Sequence, residues 1–179
     1  MNIFYTNNDP KLCAIEHCDK HCVKMILESA QLLSTAHRVL DGKEYIDTSS
    51  GRKIRRWSLD NSYEGILYKA THINHPSAIW ARKSYDNYQW LYNLLNELCA
   101  EYTYRYGKVH RCFEIGLVDK LSYSPINIPV TVFTEPTPAM AEQYIVRGDS
   151  IKSYQKYIRE GKIHLHNWKN RPIPSFITL

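Results

Sequence analysis

The sequence predicts a mainly α-helical, compact single domain over residues 1–179: a bundle of about three helices, the central one long. Three observations carry this. The chain has 179 residues, enough for one hydrophobic core and too few for two large domains. Hydrophobic residues make up 44% and charged residues 23%, a balance that excludes disorder. Two segments, 19–40 and 76–106, carry apolar residues at three- and four-residue spacing, the period of a buried helix face.

Asn2 to Tyr5 form a short extended start, ended by the turn formers Asn7, Asn8, Asp9 and Pro10, and Pro10 opens a first helical turn. From Asp19 to Leu40 the stripe Val23, Ile26, Leu27, Ala30, Leu33 and Ala36 defines a helix, with Gly42 as its stop. Residues 41–65 lose that period and carry the basic cluster Arg52, Lys53, Arg55 and Arg56, so they read as a projecting loop or β-hairpin. Pro76 suits the first position of a helix capped by His75 or Asn74. Its stripe of Ile79, Trp80, Tyr88, Leu91, Leu95, Leu98 and Tyr102 runs to Gly107. That gives one rod of roughly thirty residues and about 45 Å. A short segment follows at 114–121. The proline-punctuated residues 122–149 read as an extended wrap, and a last short helix spans 150–159. No internal repeat or low-complexity tract occurs.

The formal charge is +5, which permits a polyanionic partner without requiring one. No run of 18 apolar residues and no basic, apolar leader is present. The expectation is a soluble, monomeric chain of the cytoplasm, or of the host cytoplasm if the source is viral, with no membrane partner. Five cysteines at 13, 18, 22, 99 and 112, none in Cys-x2-Cys spacing, read as reduced and mostly buried thiols. No glycine-rich phosphate loop or dinucleotide fingerprint occurs, so no cofactor is expected. Fourteen Tyr and four Trp stand against four Phe, an excess that suits either ligand contact or helix packing.

Three features carry candidate chemistry. His17, His21, Lys24, Glu28, Gln31 and Thr35 fall at alternating steps of four and three, which puts them on one helix face. That face is either the solvated side of an amphipathic helix or a carboxylate base displayed beside phosphate-contacting cations, Lys20 among them. Second, His72, Asn74 and His75 precede a helix start, with Arg82 and Lys83 one to two turns on, a candidate anion site whose alternative is simple capping. Histidines 17, 21, 72 and 75 also raise a metal reading, which no HExxH or paired-cysteine motif supports. Third, the tail alternates Tyr154, Tyr157 and Trp168 with cations including Lys162, a pattern that suits bases and phosphates.

The stretch CDKHCVKMILES, residues 18–29, resembles the ADQHLMAEYREL-type helix of the phage pyrimidine-dimer DNA glycosylase/AP lyase (endonuclease V-like) family. Asp19 and His21 fall on the family's Asp-x-His, and Glu28, seven residues after that histidine, falls on its catalytic glutamate. The tail SYQKYIREGK, residues 153–162, is similar to the family's WYKYYGK. The resemblance covers most of the chain in outline and about twenty residues closely. It implies a DNA N-glycosylase, with or without a lyase step, in which the chain's first amine attacks C1′ of a damaged or modified nucleotide. Glu28, Met1 and His21 would then be the catalytic residues. His17, Lys20, Lys24, Gln31, His72, Asn74, His75, Arg82, Lys83, Tyr154, Tyr157 and Lys162 would contact DNA.

The family's arginines beside the glutamate fall here on Leu27 and Gln31, and the bulk of Asn2 predicts that Met1 is retained. The basic residues 52–56, with Arg105, Lys108 and Arg111, are candidates to replace the missing contacts. Two other readings stand beside this one: a non-catalytic nucleic-acid-binding protein, and a nucleotide- or base-modifying enzyme on the same fold.

Overall fold

A computed structural model describes residues 1–178. Among them are seven α-helices and one two-stranded antiparallel hairpin: α1 (Pro10–Glu16), α2 (Asp19–Asp41), β1 (Lys43–Asp47), β2 (Ile54–Ser58), α3 (Pro76–Ala81), α4 (Tyr85–Tyr106), α5 (Arg111–Glu114), α6 (Leu117–Leu121) and α7 (Ser150–Gly161). The fold is mainly α with a small hairpin, as the composition and periodicity predict. No helix among the described residues is long and apolar enough to cross a membrane. All five cysteines are free and buried.

The core lies where α2 packs on α4, with α1 also packed against α4. Met25, Ile26, Leu32 and Leu33 from α2 meet Leu91, Leu94, Leu95 and Leu98 from α4, all essentially inaccessible. Each such side chain contributes about 1.5–3 kcal/mol of burial relative to exposure. The stripe expected on α2 is displaced: Val23 and Leu27 are more than a third exposed, and Cys22, Met25, Ser29 and Leu32 are buried in their place. The reason is that residues 1–6, with Ile3 and Tyr5 wholly buried, cover a second side of α2. His21, Glu28 and Thr35 of the polar stripe are therefore buried while Lys24 stays exposed, and the apolar residues Val23 and Leu27 are left on a third side.

The single rod expected from Pro76 to Gly107 is two helices, and Ile79, assigned to its apolar stripe, is largely exposed. The break at 82–84 has a tertiary cause. The Ser84 hydroxyl accepts from the Asp86 amide, capping α4, and donates to the Thr131 carbonyl at 2.5 Å, while the Tyr85 amide donates to the Pro129 carbonyl. The extended wrap, irregular over residues 122–149 except for one 3-10 turn at Glu142–Tyr144, thus docks into the gap between α3 and α4. At the far end of α4, Gly107 adopts the left-handed cap, φ 64°. Gly42 ends α2 for a different reason: a Cβ there would lie 2.4 Å from the Arg38 carbonyl oxygen.

The start of α2 is clasped to the end of α4 and to the tail. Arg105, fully buried, donates to Asp19 at 2.9 Å, to Glu101 at 2.6 Å and to the carbonyls of His17 and Ile15. Asp19 also accepts from Asn167 and from the Lys169 amide, and Arg171 completes the pairing of Glu101. Arg105 is therefore spent internally and is no phosphate contact, contrary to the expectation from sequence.

Candidate functional site

The N-terminal segment runs extended into the groove between α2 and α7. Asn2 donates through its side chain to the Ala139 carbonyl, and Gln155 of α7 donates to the Thr6 carbonyl. Between these anchors Phe4 holds φ 56°, left-handed backbone that a bulky residue adopts only when its surroundings enforce it. The consequence is an aromatic stack. The Phe4 ring lies 3.9 Å from His21 of α2 at 23° between planes, and 6.0 Å from Tyr157 of α7 at 11°.

Beside this stack opens a cavity of about 410 Å³. Met1, Asn2 and Phe4 line it from the N-terminal segment, Lys20, His21, Lys24 and Glu28 from α2, and Ala139, Tyr157, Lys162 and Leu165 from the wrap and tail. At its floor the Asn2 amide donates to Glu28 Oε2 at 2.8 Å, and the Met1 amino nitrogen lies 4.0 Å from the same oxygen. The Lys24 ammonium sits 3.2 Å from Glu28 Oε1, one helical turn away. Lys162 lies 4.9 Å from the Tyr157 ring centroid, a cation over an aromatic face. One carboxylate thus stands among an amino group and three lysines.

His21 is a neutral imidazole here. Burial depresses its pKa to about 3, and His17, Lys162, Lys24 and His164 push the same way. Its Nδ1 is buried with no partner, so the ring contributes a stacking surface more than a hydrogen bond.

The residues expected at the site divide cleanly. Met1, Lys20, His21, Lys24, Glu28, Tyr157 and Lys162 come together around one cavity. His17 does not join them: it caps α1 ahead of α2, is wholly buried and is held by Nδ1 on the Cys13 carbonyl at 2.6 Å. The regular step from His17 to His21 crosses a helix boundary, with Cys18 in extended conformation. Tyr154 is a core residue at 0% exposure, not a contact surface. Gln31 lies one turn beyond Glu28, outside the cavity lining.

His75 caps α3, its Nδ1 accepting from the Ser77 amide, which is the capping alternative. Burial lowers its pKa, the Met1 amino group and His72 act in the same direction, and Glu28 opposes them, so His75 lies within the field of the site. His72 is exposed with its ring on Thr71, Asn74 is exposed, and Arg82 and Lys83 lie at the opposite end of α3 from its cap. No anion cradle forms there, because α3 is a helix of 6 residues whose first amide is taken by His75. Among the described residues no group of three or more His, Cys, Asp or Glu is arranged to hold a metal ion.

Sequence reasoning missed Phe4, Asn2, Ala139 and Leu165. Only Phe4 carried a signal, as an aromatic in a segment otherwise headed for a polar turn. No family model, no curated protein and no solved structure matches this chain.

Proposed function

We propose that this chain is a DNA glycosylase-like enzyme acting at C1′ of a damaged or modified nucleotide, with Glu28 as its central carboxylate. The observation that supports it is the placement of Glu28 Oε2 within 2.8 Å of the Asn2 amide and 4.0 Å of the Met1 amine, at the floor of a lysine-rimmed cavity. Cleaving an N-glycosidic bond builds positive charge on the sugar, and a fixed carboxylate in a partly dehydrated site stabilises that charge. The amine supplies the nucleophile. Its lone pair forms a bond to C1′ as the C1′–N bond to the base breaks, and the departing base takes a proton. Ring opening gives a protonated imine. Removal of a C2′ proton by the Glu28 carboxylate then expels the 3′-phosphate by β-elimination.

Lys20, Lys24 and Lys162 suit the phosphates that flank such a sugar. Asn2 spends its side-chain oxygen on the Ile3 amide and its nitrogen on Ala139, so it is not free to read a base edge. The cavity is thereby suited to a sugar and its phosphates, which fits chemistry at C1′.

The test is product analysis on duplexes carrying damaged, uracil-containing and hypermodified bases, with wild type and Glu28→Gln side by side. Free base or strand cleavage that the substitution abolishes is the expected result. Salt-sensitive DNA binding with no product from any duplex contradicts the enzyme and leaves a binding protein.

A further inference from the structure

The hairpin β1–β2 concentrates charge. Between Lys43 and Ser58 it carries five cations, Lys43, Arg52, Lys53, Arg55 and Arg56, against Glu44 and Asp47, a net +3 of the whole chain's +5. The two carboxylates face Arg55 and Arg56 at 3.9 and 3.8 Å, and among the described residues Lys43, Arg52 and Lys53 have no acidic partner and are exposed. The ribbon buries almost nothing. Of its ten strand residues only Trp57 is buried, and Tyr45 and Ile46 point outward at 43% and 56% exposure. A two-stranded ribbon with so little core is marginal alone.

Its root, however, is rigid. Arg38, buried in the last turns of α2, donates to the Trp57 carbonyl at 2.7 Å, to Glu64 at 2.8 Å and to the carbonyls of Leu67 and Tyr68. Arg55 stacks on Trp57 at 5.0 Å. A firmly rooted ribbon with a cationic, solvent-facing tip is built to touch something else.

Position says what. The hairpin leaves α2 at Gly42, eighteen residues beyond Lys24. That interval is about five turns of 3.6 residues, so the exit and Lys24 lie on one line of the helix, about 27 Å apart. Eight base-pair steps of B-DNA, at about 3.4 Å each, cover the same distance, so the root of the hairpin stands well clear of a nucleotide bound at Lys24.

We propose that the β1–β2 hairpin is a second contact for duplex DNA, gripping phosphates away from the nucleotide held in the Glu28 cavity through Arg52, Lys53 and Arg55. This rests on the DNA reading of the cavity.

Fluorescence anisotropy with a 24-base-pair duplex, titrated with salt, tests it on the full chain. The variant Arg52→Ser/Lys53→Ser/Arg55→Gln should bind at least fivefold more weakly at 0.1 M salt. Its slope of log affinity against log salt should be shallower by two to three, since each lost phosphate contact removes about 0.9. The charge-conserving variant Arg52→Lys/Lys53→Arg/Arg55→Lys should bind as wild type does, which separates lost charge from lost folding. On duplexes too short to extend beyond the Glu28 cavity, wild type and the neutral variant should converge. Equal affinity and equal slope for wild type and the neutral variant on the long duplex overturn the hairpin proposal and leave the cavity reading intact. Absence of salt-sensitive duplex binding by wild type overturns the DNA reading of the cavity, and the hairpin proposal with it.

Discussion

The Asn2 amide donates to Glu28 Oε2 across 2.8 Å, joining residues 26 positions apart and fixing the first residues of the chain against the middle of α2. The bond orients the carboxylate as much as the chain start, since its other oxygen is left to Lys24. Substitution by glutamine keeps an acceptor for the Asn2 amide and removes only the charge. Lys24 is 70% exposed, so the ion pair it loses contributes less than about 1 kcal/mol. Glu28→Gln should therefore melt within a few degrees of wild type while product formation falls at least about a hundredfold. Parallel thermal melts and single-turnover assays check both halves.

Phe4 should reverse the usual ranking of alanine over glycine. At φ 56° an alanine is strained and a glycine is not, so Phe4→Gly should be more stable than Phe4→Ala by about 1 kcal/mol. Both lose the ring that stacks on His21 and Tyr157. Urea denaturation of the two variants measures the difference, and a more stable alanine variant contradicts the strained conformation.

Three buried histidines set the acid limit of the fold. Burial lowers the pKa of His17 to about 4, His21 to about 3 and His37 to about 4. Unfolded, each titrates near 6.5, so between that pH and its folded pKa the unfolded chain binds more protons than the native one. The stabilisation from keeping each ring neutral is complete above about pH 6.5 and is lost as pH falls toward 4. Stability should drop on the order of 1–2 kcal/mol per histidine between pH 7 and pH 5. Replacing His37 by Gln should flatten the pH dependence of chemical denaturation over that interval.

Arg105 holds the start of α2 to α4. Arg105→Met leaves Asp19 without its guanidinium and Glu101 with Arg171 alone, and strips donors from the His17 and Ile15 carbonyls. Removing one partner of a buried ion network costs about 3–5 kcal/mol. That corresponds to a fall of about 10 °C in melting temperature for a chain of this size. Calorimetry reads it directly.

How much of this was legible in the sequence follows from the kind of signal each part leaves. The grouping of Lys20, His21, Lys24 and Glu28 is periodic, and helical geometry alone brings such residues to one side. Their enclosure by residues 1–6 was not legible, because it depends on Phe4 turning at a positive φ that no local pattern announces. The same limit explains His17, which keeps the helical step but sits before the helix begins. The break in the second helix left a faint mark, a serine cap at Ser84 two residues before Asp86. Its decisive cause is the carbonyls of Thr131 and Pro129, about 45 residues away in sequence. Tyr154 and Tyr157, three positions apart on α7, looked alike as tail aromatics, yet one is core and the other lines the cavity.

The central claim, that the chain's first amine attacks C1′ beside Glu28, is tested most directly by borohydride trapping on a duplex that the protein processes, followed by intact-mass and peptide mapping. Trapping reduces an imine to a stable secondary amine joining protein and DNA. The account predicts an adduct on the first residue of the mature chain, Met1 if it is retained or Asn2 if it is removed, and none once that amine is blocked. An adduct on Lys24 or Lys162, or base release with no adduct at all, would contradict it.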